Sequence, residues 1–298
     1  MASLKEIRNR IRSVISTQQI TKAMKMVAAA KLRRAQDRIL RMRPYAQSLK
    51  GILQNLSANL DASQIQSPYL EERPVERVLL IVLTSDRGLC GAFNNNLAKV
   101  AQQAIHQQYE AQYQAGKLDL LCIGKKGYEY FVRRGYSVVH PEYVDLFTRL
   151  DFDHVLTVAE QLLSWYAQGT YDRIDVFYNE FKNVATQIPR QEQLLPASAD
   201  MADNTAQAGT SMEYILEPSA EAIVTDLIPQ IIKVQFFKAL LESNAAEQGA
   251  RMMAMDKATE NAGELLRTLR LTYNRTRQAV ITKEIIEIVS GARALEEA

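Results

Sequence analysis

Residues 20–40 read ITKAMKMVAAAKLRRAQDRIL. Steps of three and four pick out Thr21, Lys25, Ala28, Leu32, Ala35 and Ile39, and most of the cations fall off that line. The same step continues back through Gln18, Val14, Ile11, Ile7 and Leu4, and forward through Met42, Ala46, Leu49, Leu53, Leu56 and Leu60. A mean spacing of 3.5 residues held over that length predicts a coiled-coil helix rather than a globular amphipathic one. Gln18, Thr21 and Lys25 are the polar members of the seam, and they are contiguous. At 1.5 Å per residue the helix would run about 85 Å. Pro44 is expected to bend it, because it removes one backbone hydrogen bond.

The C-terminal third has the same texture. One seam runs Met252, Met255, Thr259, Ala262, Leu266, Leu269, Tyr273. After a one-residue slip within NRTRQ (274–278), a second runs Ile281, Ile285, Ile288, Ala292, Leu295. If the two helices pack antiparallel with Leu4 opposite Ile288 to Ala292, then Gln18, Thr21 and Lys25 lie opposite the stretch 270–277. The polar break of one helix would then meet the polar break of the other.

Between these helices the period changes. RVLLIVLT (77–84) reads as a buried strand, followed by a helix from Asn94 to Tyr113. LDLLCI (118–123) is a second strand, followed by a short helix closed at Gly135 and a third strand at 136–139. A helix over 152–167 leads to a fourth strand, RIDVFYNEF (173–181), and a return strand over 185–195. This alternation predicts a Rossmann-like, mostly parallel α/β domain with right-handed crossovers. The fold class is therefore α/β plus a long antiparallel coiled coil, with the α/β domain inserted between N- and C-terminal helices. The expected divisions are 1–60 for the first helix, 61–211 for the globular domain with a surface loop at 196–211, and 212–298 for the last helix.

The loop TSDRGLCGAFNNN (84–96) follows the first strand, where a Gly-containing turn into a helix often holds phosphate. It has no P-loop lysine, and its glycines, Gly88 and Gly91, do not make the dinucleotide fingerprint. Asp86 would put a carboxylate where phosphate charge belongs. Asp86, Arg87, Gly88 and Gly91 are therefore read as a structural turn. Cys90 and Cys122 give no disulfide framework or metal spacing, and His106, His140 and His154 are scattered. No nucleophile–base or paired-carboxylate constellation is seen. No catalytic residue, cofactor or metal is expected.

The net charge of +2 hides an asymmetry: residues 1–50 hold 13 Lys or Arg against two acids, +11, and the rest of the chain carries −9. Nucleic acid, anionic lipid and an acidic protein surface are candidate partners. The cations sit on a heptad-bearing helix with little aromatic interleaving, which favours the acidic protein. No signal peptide or membrane-spanning run is expected.

The residues that carry a family likeness are KEIRNRI and ITKAMKMVAAAK near the start, SDRGLCGAFN after the first strand, EQGARMMAMDKATENA in the last helix, and YNRTRQAVITKEIIEIVSGA near the end. With these motifs, over essentially the whole chain, the sequence resembles the gamma subunit of F-type ATP synthase, the central rotor stalk. The resemblance implies a shaft that turns inside a ring of alpha and beta subunits. Its base would rest on an epsilon-type subunit and the membrane ring of c subunits. Ion flow, such as proton flow, would be coupled to ATP synthesis or hydrolysis at beta-subunit sites. It implies no catalysis by this chain, no nucleic acid and no direct small-molecule substrate. It also implies a peripheral membrane location on the cytoplasmic face of a bacterial inner membrane. The positions matching the family's beta-facing contacts are Met24, Lys25, Arg277, Gln278, Thr282 and Glu284. The light-regulated members' cysteine-bearing insert has no counterpart, so no thiol switch is expected. Without the family motifs, the basic helix would read as a coiled-coil scaffold or regulator binding an acidic partner, and the loop at 84–96 as a weaker case for a nucleotide-binding enzyme.

Overall fold

The computed structural model describes residues 3–59, 67–71, 73–197 and 220–296. The expected seam position Leu60 and most of the expected loop at 196–211 lie outside the described residues. The chain divides into two compact units, one of Met1–Ala28 with Met252–Ala298 and the other of Ala29–Arg251.

The larger unit is built on a five-stranded sheet. Its strands are β1 (Val78–Leu83), β2 (Leu118–Ile123), β3 (Val138–Val139), β4 (Arg173–Phe181) and β5 (Gln187–Leu195). They lie in the order β3-β2-β1-β4-β5. β1 pairs parallel with β2 and β4, β2 parallel with β3, and β5 antiparallel with β4. Every residue of β1 is buried, as a continuous apolar run in the middle of a covered parallel sheet should be.

Alternation along β1 splits the core in two. Val78, Leu80 and Val82 face the helices α2 (Phe93–Gln108) and α4 (Lys125–Val132), packing with Leu97, Ala101, Ile105 and Phe131. Leu79, Ile81 and Leu83 face the opposite layer. There α5 (Phe152–Ala167) supplies Val158, Leu162 and Tyr166, and α6 (Ala220–Glu296) supplies Ile228, Ile232, Phe236 and Leu240. The stretch of α6 from Ile228 to Leu240 is thus part of the α/β core. The helix α1 (Leu4–Asn59) joins the same unit through Leu32, Ala35 and Ile39, packed with Leu241 and Ala245.

The sequence-based strand limits hold to within two residues at every strand, with β2 and β4 matched end to end. The helix expected over 94–113 is two helices, α2 and the short α3 (Glu110–Gln114). They break at Tyr109, whose side chain turns inward so that its hydroxyl donates to the buried carboxylate of Asp175 at 2.6 Å.

The smaller unit is an antiparallel pair of helical segments. Every α1 seam position from Leu4 to Ala28 is buried or half-buried, as is every α6 seam position from Met252 to Tyr273. The 3.5-residue repeat therefore marks the packed face of both segments.

Candidate functional site

Polar contacts set the register of the helical pair. Thr259 Oγ1 donates to Thr21 Oγ1 at 2.8 Å, and Gln18 Nε2 donates to the Thr259 carbonyl at 3.4 Å. Lys25 Nζ lies 2.5 Å from Asp256 Oδ1. Arg8 donates to the Tyr273 hydroxyl at 2.9 Å and holds that phenol below its ordinary pKa. Gly263 makes room for Gln18: a Cβ there would sit 3.2 Å from Gln18 Nε2. This corrects the expected pairing by about two heptads. The polar residues of α1 meet Asp256 and Thr259, and the break at 274–278 does not face them.

The shift has a consequence for the end of α6. The seam expected from Ile281 finds no partner among the described residues: Val280, Ile281, Ile285, Ile286, Ile288 and Val289 are exposed, Ile288 to 71%. Contiguous apolar side chains left in water mark a binding surface.

The six residues singled out as partner-facing do not form one cluster. Met24 and Lys25 are half-buried on α1, and Lys25 already holds Asp256. Arg277, Gln278, Thr282 and Glu284 are exposed on α6, interleaved with the apolar stripe. Sequence reasoning named these polar positions but placed Ile281, Ile285 and Ile288 in a packed seam, whereas the structure leaves all three exposed. Their exposure follows from the register, which the heptads alone leave open.

The corner after β1 forms the second candidate region, within the larger unit. Thr84, Ser85 and Asp86 are three successive residues, and each supplies an oxygen to the first turn of α4. Lys125 N donates to Asp86 Oδ1 at 3.2 Å, Lys126 N to the Ser85 carbonyl at 3.0 Å, and Gly127 N to Thr84 Oγ1 at 2.8 Å. The N–H groups that an anion would use at a helix N-terminus are thus taken by the protein itself. Burial pushes the Asp86 carboxyl above its ordinary pKa, and the hydrogen bond from Lys125 partly offsets this.

The glycines that this contact demands belong to GKKG (124–127), which sequence reasoning passed over. Gly124 has φ +107°, and a Cβ there would lie 2.1 Å from the Thr84 carbonyl oxygen. At Gly127 a Cβ would lie 2.6 Å from Thr84 Oγ1. In the loop after β1, Gly91 has φ +62° and Leu89 φ +66°. A Cβ at Gly88 would meet nothing within 4 Å. Asn94, in the first turn of α2, reaches back to the loop and accepts from Ser85 N at 3.0 Å.

In an open α/β sheet a nucleotide sits outside the carboxyl ends of the strands, where the strand order reverses. Here that reversal lies between β1 and β4. α6 covers it. Ser243 Oγ donates to the Leu83 carbonyl at 3.3 Å, Arg251 donates to the Arg87 carbonyl at 2.9 Å, and Ala246 and Ala250 pack on Cys90 and Phe93. Both thiols are buried. Desolvation raises the pKa of Cys90 and pushes Cys122 up to about 12, so neither is a ready nucleophile.

A family model described as ATP synthase matches residues 3–295. A protein of Cytophaga hutchinsonii named ATP synthase gamma chain is 58% identical over 295 residues, covering 99% of each chain. One of the same name from Chloroherpeton thalassium is 50% identical, covering 100% of this chain and 99% of the other. Among solved structures, a chain of the Euglena gracilis mitochondrial ATP synthase rotor superposes with a TM-score of 0.63 at 22% identity, covering 93% of this chain and 98% of that one. A chain from the central stalk and c-ring of the Tetrahymena thermophila enzyme gives a TM-score of 0.56 at 26% identity, covering 80% and 99%.

Proposed function

We propose, since this chain belongs to the ATP synthase gamma chain family, that it makes and breaks no bond itself and works as a shaft read by other subunits. It is a central-stalk subunit of the rotary ATP synthase, one part of a larger complex. Among the described residues no helix is long and apolar enough to cross a membrane, so attachment to one would come through partner subunits.

The observation that carries this reading is the end of α6. A helix that packs on α1 by a regular seam as far as Tyr273 continues with an apolar stripe from Val280 to Val289 that is exposed among the described residues. A single helix with apolar and polar groups around its surface suits a sleeve of several chains that it contacts in turn. The sleeve in this reading is a ring of alpha and beta subunits. Met24, Lys25, Arg277, Gln278, Thr282 and Glu284 are its contacts, and the four on α6 are exposed polar groups that release easily. The basic excess of residues 1–50 would meet acidic segments of the beta subunits.

The α/β domain would be held by an epsilon-type subunit and the membrane ring of c subunits, on the cytoplasmic face of a bacterial membrane. Ion flow through that ring would turn the shaft and drive the beta-subunit sites. The corner Asp86, Arg87, Gly88 and Gly91 is a structural turn in this account. Its helix N-terminus is filled from within and its crevice is covered by α6.

Co-expression with alpha and beta subunits tests this. Co-purification of the three and ATP turnover that depends on this chain are the expected results. A chain that purifies alone and leaves turnover unchanged would contradict it.

A further inference from the structure

Ser243, Glu247 and Arg251 recur every four residues along α6 and so share one face. That face addresses the carboxyl end of β1 and the loop beyond it. Ser243 Oγ donates to the carbonyl of Leu83, the last residue of the strand, at 3.3 Å. Arg251 pairs through Nη1 with Glu247 one turn back, and through Nη2 donates to the carbonyls of Arg87 at 2.9 Å and Gly88 at 3.4 Å. The side chains of this pair are only 12% and 10% exposed.

An ion pair taken this far out of water is a poor source of stability, and an apolar side chain of similar size would ordinarily serve the packing better. A methionine could rest on the loop. It could not hold two main-chain carbonyls of another element in fixed directions, as the planar guanidinium fork does. Around the pair the contact is apolar, Ala246 and Ala250 against Cys90 and Phe93. Apolar packing resists separation but is non-directional, so it opposes sliding and twisting weakly. Hydrogen bonds weaken steeply when bent. The load on a turning shaft is a twist.

We propose that Arg251 is a torque-bearing positioning residue, which locks α6 to the β1–α2 loop so that the helix cannot rotate against the sheet under load. Glu247 compensates the buried charge and aims the fork, and Ser243 fixes the same face one turn earlier. The proposal rests on the rotary reading above and concerns how the α/β core grips the helix that runs through it.

The test uses the whole ATP synthase in liposomes, with wild-type chain, Arg251→Met or Arg251→Lys. ATP hydrolysis and ATP-driven ion pumping are read together while the opposing ion gradient is raised. With no gradient, Arg251→Met should hydrolyse ATP within about twofold of wild type. At the highest gradient its ions pumped per ATP should fall at least twofold below wild type, with Arg251→Lys between the two. A purely structural lesion would lower the amount of complex and leave that ratio unchanged. Equal ratios at every gradient would overturn the proposal while leaving the rotary reading intact. A wild-type complex that hydrolyses ATP without pumping would overturn both. Should Arg251→Met fail to assemble, Arg251→Lys is read against wild type by the same criterion. Amide exchange in the free full-length Arg251→Met chain adds a second readout. Exchange at residues 87–91 should speed up at least fivefold, and an unchanged rate there would also overturn the proposal.

Discussion

Thr21 and Thr259 face each other across the helical pair, the hydroxyl of Thr259 donating to that of Thr21 at 2.8 Å, with the Met255 carbonyl of its own helix, 2.7 Å away, as the competing acceptor for the same proton. Two seam positions that a coiled coil would fill with aliphatic side chains are therefore joined by a polar contact. Replacing both by valine keeps the shape and removes both polar groups, which is close to neutral or stabilising. Thr21→Val alone takes away the acceptor and should cost about 0.5–1.5 kcal/mol. Thermal melting of the two single variants and the double variant of the full-length chain measures the coupling. A double variant less stable than both singles would contradict the contact.

The close approach of Gly124 to Thr84 predicts an asymmetry between glycines. Gly124→Ala forces a side chain into φ +107° and onto the Thr84 carbonyl, and should cost roughly 3 kcal/mol or more. Gly88→Ala meets open space and should change stability by less than about 0.5 kcal/mol. Denaturant midpoints of the two variants decide it. Equal losses would mean that the corner is not built as described.

Glu247 and Asp86 give the larger unit a pH dependence with a definite sign. Burial raises both carboxyl pKa values above the ordinary range. For Glu247 the raising influences also include Asp86, while Arg251 and Lys31 pull the value down. A group whose folded pKa is raised favours the folded state when protonated, and that contribution is lost as pH rises through the folded value. Stability contributed by these two groups should thus be present below the ordinary carboxylate pKa and fall as pH rises through their raised folded values. Glu247→Gln, which cannot ionise, should flatten that part of the curve. An unfolding midpoint whose pH dependence is the same in Glu247→Gln and wild type would contradict the assignment.

The exposed stripe of α6 predicts a split between the free chain and the complex. Ile281, Ile285 and Ile288 are 47%, 55% and 71% exposed. Changing all three to serine removes little packing, so the melting of the free chain should move by no more than about 0.5 kcal/mol per site. Recovery of the complex with alpha and beta subunits should drop severalfold. A large loss of stability in the free chain, with recovery intact, would place the stripe inside the fold instead of at an interface.

Much of this architecture is legible in the sequence because it rests on period. The seam from Leu4 to Ala28 and the run of β1 are local patterns, and each marks a buried face that the structure shows. Register is different. A heptad seam looks the same after a slip of seven, so only cross-helix contacts such as Thr21 with Thr259 choose among the alternatives. The same degeneracy hid the exposure of Ile281 to Ile288. The capping of α4 by Thr84, Ser85 and Asp86 joins residues about forty positions apart, beyond the reach of any local turn rule. GKKG could have been noticed as a glycine pair opening a helix after a strand, but its partner oxygens could not. Ile228 to Leu240 read as helix, yet nothing local says that their face completes the sheet core.

The central claim is that this chain turns as a shaft within a ring of other chains. It is tested by watching that motion. Cys90 and Cys122 are buried, so a single cysteine introduced at exposed Gln107 provides a selective attachment point for a probe. In a complex of this chain with alpha and beta subunits, the latter fixed to a surface, addition of ATP should make the probe rotate in one direction, at a rate set by ATP concentration. A complex that hydrolyses ATP at the same rate while the probe only fluctuates about one position would contradict the account.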